Sequence, residues 1–492
     1  MNDWQLPKAG SRIFFVGIGG ISMSGLAELA QADGFVIAGS DRHLTQRTAH
    51  LAAKGIQLYE GHSANWIDRF QPDLLVHTAA VHADNPEWQR ALEQGIPVID
   101  RASFLGLINR TYPRVINISG THGKTTTTAL CALMLIEADL DPAVHLGAEL
   151  RQFHGTVRTS QKREIMVSEA CEYMNSFLRF HSTTAAVLNI DYDHVDCFAD
   201  LDDVVRSFTA FTDRLPDEGL LIMPDFDRQV MRMLEALSLK RQEQKRSLPR
   251  LVFFGIEDTA AEQALVDLPL AIDISATYNG RDLHYQQGMP CFTLCYQGEP
   301  VCQIQMRVPG RHNVANALAA AACAHQNGAD FTSIGRVLNS FQGAEGRFTD
   351  VGQYQGARVI ADYAHHPAAA RVTFAAANLL PHRHLWVVFQ PLTFSRTKVL
   401  FDDYVAALKD SEAIIFSEIY SDRESQPVQV SSRMLADRIN ELGGHAWFAE
   451  KPDQIRQWLN ERAGPEDVIL VMGPENIRDF ADQLTGRTSH LQ

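Results

Sequence analysis

Seven cysteines in 492 residues is an odd count, and no two of them stand in a Cys-x-x-Cys spacing. That pattern argues against both a disulfide framework and a structural zinc site, and reduced thiols in a reducing compartment are expected. Long apolar runs are missing too. The most apolar early stretch, residues 13–21, is short, rich in glycine and preceded by Asp3, unlike a signal peptide. Nothing elsewhere reaches the ~18 apolar residues of a membrane span, so a cytoplasmic protein is expected. Positive charge is the third shortage: 44 Lys and Arg stand against 59 Asp and Glu, a formal net charge of −15. Such a field repels phosphate backbones and anionic lipid, which argues against nucleic acid and membrane as partners. An anionic substrate would need cations gathered locally against that field.

What is present is an alternation of short apolar strands and helical stretches. Residues 12–16 enter a Gly-rich turn and then a helical run over 21–30; strand-like runs follow at 36–38, 74–77 and 97–99, with a helical stretch at 85–94 between the last two. This order predicts a doubly wound parallel sheet. After a break near 109–113, residues 114–118 start a second α/β unit, with strands at 165–168 and 185–190 and a helix over about 201–214. The basic cluster 240–246 reads as a solvated turn. Residues 271–308 look β-rich, with Asn279-Gly280 and Gln297-Gly298 as turn signals, and 313–326 look helical. A third alternation runs through 358–361, 386–390, 413–416, 446–448 and 468–472. At roughly 150 residues per domain, three α/β domains fit the length.

Two loops carry chemistry. Gly17-Ile18-Gly19-Gly20-Ile21-Ser22 is like a dinucleotide fingerprint, with Asp41 at the spacing of a ribose-binding acid, but Ser22 stands where Gly or Ala is wanted. It points to phosphate at a helix N-terminus, and a ligand-free tight turn accounts for the same residues. Gly120-Thr121-His122-Gly123-Lys124-Thr125-Thr126 is more specific: amides for phosphates, an ammonium for the terminal phosphates and a hydroxyl for Mg2+. It is a short phosphate loop, with two residues between its glycines where the common form has four. Glu169 and Asn189-Ile190-Asp191-Tyr192-Asp193-His194 end apolar strands. In a parallel sheet such ends share the edge that carries the phosphate loop, which places Glu169, His194 and Thr125 near one another. A carboxylate, an imidazole and a hydroxyl could share a hard cation there.

The order of further motifs extends this. Glu169-Ala170-Cys171-Glu172, His312-Asn313-Val314-Ala315-Asn316-Ala317, Gly346-Arg347-Phe348, Asp362-Tyr363-Ala364-His365-His366-Pro367 and Phe389-Gln390-Pro391 followed by Arg396-Thr397 occur as they do in the Mur ligases, and the sequence resembles that family over nearly its whole length. The resemblance implies an ATP-dependent amide ligase of α/β class in three domains. These are a Rossmann-like UDP-sugar unit (1–110), a central P-loop ATPase-like parallel sheet with extra β structure (111–340) and a Rossmann-like amino-acid unit (341–492). Gly39-Ser40-Asp41, Asn85-Pro86 and 97–102 favour the member whose acceptor is UDP-N-acetylmuramate and whose incoming amine is L-alanine. The rival adds a whole tripeptide to the same sugar, and its relatives lack the stretch 389–397.

By the family pattern Gly120 to Thr126 cradle ATP, with Lys124 and Thr125 on its phosphates. Thr125, Glu169 and His194 hold Mg2+, and His312, Asn313 and Asn316 face the adenine. Arg347 and Asp362 complete the nucleotide site. Tyr363, His365 and Arg396 meet the amino acid, while Gly17, Gly19, Gly20, Ile21, Ser22, Ser40 and Asp41 meet the UDP-sugar. Lys124, Glu169, His194, His365 and Arg396 form the catalytic set. Two departures stand out: the family's paired arginines read Gly346-Arg347, and Leu392 replaces a frequent His beside the amino-acid pocket.

The implied chemistry is self-consistent. A carboxylate accepts an amine only once an oxygen becomes a leaving group, so the γ-phosphate goes to it, an acyl phosphate forms, and the amine displaces phosphate. Cations must face the developing charge, and the amine must be neutral, for which His365 is the candidate acceptor. A nicotinamide oxidoreductase, judged from the first loop alone, and an ATP-operated switch without ligase chemistry are the readings from other classes.

Overall fold

The computed structural model describes residues 4–153, 155–257, 275–421, 424 and 429–487. β1 (Arg12–Val16), β2 (Val36–Asp41), β3 (Gln57–Glu60), β4 (Leu74–His77) and β5 (Val98–Asp100) form a parallel sheet in the order β3-β2-β1-β4-β5. After Arg12, β1 is apolar and fully buried, as a strand with helices on both faces must be. Strand order reverses beside β1, so the crevice outside its C-terminal end falls at the Gly-rich turn.

The second sheet contains β6 (Arg114–Ser119), β7 (Ala143–Leu150), β8 (Gly155–Arg158), β9 (Ile165–Glu169), β10 (Thr184–Val187), β11 (Leu220–Pro224), β12 (Arg250–Ile256), β13 (Tyr278–Gln286), β14 (Met289–Tyr296) and β15 (Glu299–Gln305). Its order is β15-β14-β13-β12-β11-β10-β6-β9-β7-β8, parallel from β13 to β7 and antiparallel at both margins. β6 sits at the reversal, and the phosphate loop follows it. The Ala-rich helix Arg311–Gln326 is buried nearly all round, and its small side chains let it lie against the helix Lys124–Glu137 that leaves this loop.

β16 (Thr349–Tyr354), β17 (Ala357–Asp362), β18 (Leu385–Phe389), β19 (Ala413–Ser417), β20 (Ala446–Ala449) and β21 (Val468–Met472) build the third sheet in the order β16-β17-β21-β18-β19-β20, parallel except for β16. The α/β class with three parallel-rich units is as expected.

Three local expectations are corrected. Asn279-Gly280 is not a turn but part of β13, where Asn279 pairs with Cys295 and Gly280 with Leu294 of β14. The hairpin turns are Gln287-Gly288 and Gln297-Gly298, with positive φ at both positions of each. Residues 271–274 of the β-rich stretch lie outside the described residues. The basic cluster 240–246 is a solvated turn only in part: residues 242–245 are exposed, with a turn at 244–245, whereas Arg241 is fully buried and donates to the carbonyls of Ser247, Asp213 and Leu215, tying the end of one helix to another. The strand expected over 185–190 ends at Val187, and the chain beyond it turns into the site.

The cores divide unevenly. One apolar cluster runs without a break from Ile13 and Phe15 through Phe104, Phe177 and Phe208 to Phe253, fusing the first sheet to helices of the second. The third sheet has its own clusters, which Tyr192 and Met289 touch only as partly buried neighbours. Its attachment to the second sheet includes the buried ion pair of Asp193 and Arg396.

Candidate functional site

The phosphate loop is held from three sides. Gly123 has φ 86°, and a Cβ there would lie 2.3 Å from Asn316 Oδ1, so only glycine lets the loop close against the Arg311–Gln326 helix. Asn189, just beyond β10, accepts from His122 N at 2.8 Å and donates to His122 O at 3.0 Å. Lys124 Nζ reaches Glu172 Oε2 at 2.9 Å and Thr121 O at 3.1 Å. Burial opposes the charge of Lys124, yet the carboxylate of Glu172 beside it raises its pKa, so the ammonium is kept.

Thr125 Oγ1 donates to Glu169 Oε2 at 3.2 Å, and the other Glu169 oxygen accepts from Gly147 N at 2.7 Å. His194 lies 3.8 Å from Glu172 and 4.8 Å, ring to ring, from Tyr173. Burial lowers its pKa, with Asp193 and Glu172 pulling the other way, and leaves a neutral imidazole free to ligate. A hydroxyl, a carboxylate and a neutral imidazole at one strand edge fit a divalent cation in number and type.

From the third sheet, Arg347 reaches Thr125 Oγ1 at 3.5 Å and lies 4.9 Å over the ring of Tyr363. Asp362 spends its carboxylate on Phe348 N and Ala364 N, both at 2.7 Å, which fixes the loop that carries Arg347. A Cβ at Gly346 would lie 2.4 Å from Arg478 Cζ. A guanidinium from the helix Glu475–Thr485 thus already occupies the space beside Arg347.

His365 donates from Nδ1 to Tyr363 O at 2.8 Å, provided Nδ1 bears the proton, which leaves Nε2 as the acceptor. Burial and then the Arg396 guanidinium push its pKa well below the ordinary histidine value. His366 caps the helix Pro367–Asn378 and bonds Tyr192 O at 3.1 Å. His122, Asp191 and His366 form a metal-type cluster with ligand atoms within 4.8 Å of one another. Both ring nitrogens of His366 are already engaged, so the cluster acts as a hydrogen-bonded contact between sheets.

One cavity of about 470 Å³ is lined by Thr121 to Thr126, Glu169, His194, His312, Asn313, Asn316, Arg347, Asp362, Tyr363 and His365. Burial pushes His312 down to about 4, so it is neutral. Gly120 lies in the turn beneath, and Arg396 lies behind Asp193.

In the first sheet, Gly19 N donates to Asp41 Oδ2 at 2.8 Å, so the acid expected at a ribose closes the turn with one of its oxygens. Ser40 is fully buried; its carbonyl accepts from Gly17 N and Ile18 N, and its hydroxyl lies 3.3 Å from His62 Nδ1. Ser40 therefore supports the turn from beneath. Ile21 and Ser22 start the helix Ile21–Ala32, whose N-cap is Gly20. Ser22 Oγ lies 3.1 Å from His145 Nε2 of β7, joining this turn to the second sheet.

Glu172, Asp193 and Arg101 had no assigned role in the sequence reading. Each directly follows or closely trails a parallel strand, and that placement is the signal that could have singled them out.

A phosphate loop facing a separate α/β unit across one cavity, with cations from both, defines an ATP-dependent ligase that assembles its site between domains. The chain belongs to the Mur ligase family. It matches the family's catalytic domain over residues 12–112, its middle domain over 118–324 and its glutamate ligase domain over 346–474. It is 38% identical to UDP-N-acetylmuramate–L-alanine ligase of Acetivibrio thermocellus, covering 96% of this chain and 95% of that protein. It is 37% identical to the same-named ligase of Lachnospira eligens over 96% and 97%. Among solved structures, UDP-N-acetylmuramate-alanine ligase of Thermotoga maritima superposes with TM-score 0.76 at 25% identity, covering 97% of this chain and 99% of that one. A murein peptide ligase of Psychrobacter arcticus shares the fold, with TM-score 0.67 at 22% identity over 98% and 100%.

Proposed function

We propose that the enzyme joins L-alanine to the carboxylate of UDP-N-acetylmuramate with hydrolysis of ATP to ADP and phosphate, a step of peptidoglycan precursor synthesis. The observation that carries this reading is the shared cavity: Lys124, Thr125 and Glu169 face it from the second sheet and its phosphate loop, and Arg347, Tyr363 and His365 face it from the third sheet. Full-length similarity to ligases of that name supports the same substrates.

In this reading the turn Gly17 to Ser22 holds the UDP-sugar, and its contact with His145 aims the acceptor at the phosphate loop. Lys124 and Arg347 stabilise charge on the transferring phosphoryl group. Thr125, Glu169 and His194 would hold Mg2+, which supplies neutralisation of the phosphate oxygens. His312, Asn313 and Asn316 serve the adenine. The attacking oxygen of the acceptor gains the γ-phosphate, ADP leaves, and the neutral amine of alanine then displaces phosphate. His365 Nε2 accepts a proton from that amine, and Arg396 Nη1, buried without a partner, suits its carboxylate. The divisions at 110 and 340 assign one substrate to each unit. No helix among the described residues is long and apolar enough to cross a membrane, and soluble nucleotide substrates suit the cytoplasm.

Supplying UDP-N-acetylmuramate and ATP with L-alanine in one reaction and the tripeptide in another, and measuring released phosphate, tests the reading. Release with alanine supports it; release with tripeptide alone transfers the chain to the rival activity.

A further inference from the structure

Arg101 opens the helix Arg101–Asn109 directly after β5, on the edge of the first sheet where strand C-terminal ends meet ligands. Its guanidinium donates from Nη1 to Ser22 Oγ at 3.0 Å. That hydroxyl belongs to the first turn of the Ile21–Ala32 helix, whose free amides and dipole favour an anion. Five N–H groups are available on a guanidinium, and among the described residues only this one bond engages them and no carboxylate pairs with them.

The surroundings make the unpaired charge costly. Burial lowers the pKa of Arg101, and Cys171, Asp100 and Glu169 only partly offset it. His145 touches the same Ser22 hydroxyl, and burial followed by the charge of Arg101 holds it down to about 4, so it is neutral. Two residues on, Gly147 N holds Glu169 Oε1, whose partner oxygen meets Thr125. The guanidinium therefore stands between the Gly-rich turn and the metal-side carboxylate, facing both. A partly exposed cation with unused donors in that place suits an anionic oxygen.

We propose that Arg101 binds an anionic oxygen of the UDP-sugar acceptor, on its diphosphate or on the carboxylate awaiting activation, and fixes that substrate between the two loops. The inference rests on the substrate proposed above. None of the groups already given to the acceptor carries positive charge, whereas the acceptor carries at least two negative groups. Arg101 supplies counter-charge there, together with Arg47, whose Nη1 donates to Gly19 O at 2.9 Å.

Calorimetric binding of UDP-N-acetylmuramate to Arg101→Ala and Arg101→Lys, beside the unaltered enzyme, tests this without turnover. Affinity should fall about 10- to 100-fold in the alanine variant, as loss of a charged hydrogen bond implies. Lysine should recover part of the loss, since it restores charge but not the fork. The KM for ATP and for L-alanine should stay within about twofold. UDP alone as a second probe separates the sources: weakened UDP binding assigns Arg101 to the diphosphate, and unchanged UDP binding assigns it to the carboxylate. Unchanged affinity for UDP-N-acetylmuramate in the variants overturns the proposal, as does an equal rise in all three KM values. If Arg101→Ala does not fold, Arg101→Lys decides alone, because full affinity there contradicts a forked contact. If the unaltered enzyme binds the sugar nucleotide yet makes no product with alanine, the proposed reaction fails while Arg101 is still judged by binding.

Discussion

Arg396 Nη2 lies 2.6 Å from Asp193 Oδ1, and both side chains are less than a tenth exposed. Asp193 follows β10 of the second sheet, and Arg396 lies in the short helix Phe394–Val399 after β18 of the third. Burial works against the Asp193 charge, yet Arg396 above all, with His194 and two further histidines, holds it well below the usual carboxylate range. The pair is thus a fully charged rivet between two units whose apolar cores are separate.

Removing one partner of such a pair leaves the other buried and uncompensated, at about 3 kcal/mol or more. Asp193→Asn should therefore loosen the third unit. Small-angle scattering should give a larger radius of gyration than for the unaltered enzyme, and the KM for L-alanine should rise because Arg396 is no longer aimed. An unchanged radius and KM would show that the pair holds nothing in place.

Glu169→Gln keeps the shape of the side chain and removes its charge. The Mg2+ concentration for half-maximal activity should rise about tenfold or more, since even indirect support of a ligand is worth that much. The KM for UDP-N-acetylmuramate should barely move. If the Mg2+ requirement stays the same, Glu169 serves only to anchor Gly147.

His365→Ala should lower kcat by about 10²- to 10⁴-fold if Nε2 takes the amine proton in the attack. ATP affinity should be preserved, because His365 is tied to Tyr363 and packs in the third unit. Turnover and alanine affinity both equal to those of the unaltered enzyme would remove His365 from the chemistry.

Acid should weaken the fold through His145, whose native pKa of about 4 lies below its ordinary value of 6.5. As pH falls through 6.5 the unfolded chain takes up a proton that the native state refuses. Stability contributed above that pH is lost down to about pH 4, by up to about 3 kcal/mol. Thermal unfolding without ligands should show Tm falling over this window. His145→Gln should make the slope shallower without abolishing it, since burial holds His312 equally low, and an equally steep slope in that variant would place the effect elsewhere.

The phosphate loop was legible because its seven residues are consecutive and each has a chemical reason to be there. Glu169 and His194 were legible through one rule, that parallel strands end on the loop's edge. The grip of Glu172 on Lys124 and the Asp193–Arg396 pair were not, since spacing along the chain does not encode which distant segments meet. Ser40 entered only with the family resemblance, and its full burial within β2 is something that spacing along the chain does not encode. Asn279-Gly280 misled because a local turn signal does not encode strand pairing, and these two residues are taken up by the ladder with β14.

The net charge of −15 makes local cations the test of function, and Lys124, Arg347, Arg396 and Arg101 all lie along the proposed substrate path. The most direct measurement is phosphate release with ATP, UDP-N-acetylmuramate, L-alanine and Mg2+, each omitted in turn, with the product mass determined. Release should require every component, and the product should be the acceptor plus one alanine less one water. Phosphate release that proceeds at full rate without alanine or without the UDP-sugar would contradict a ligase and leave an ATPase in its place.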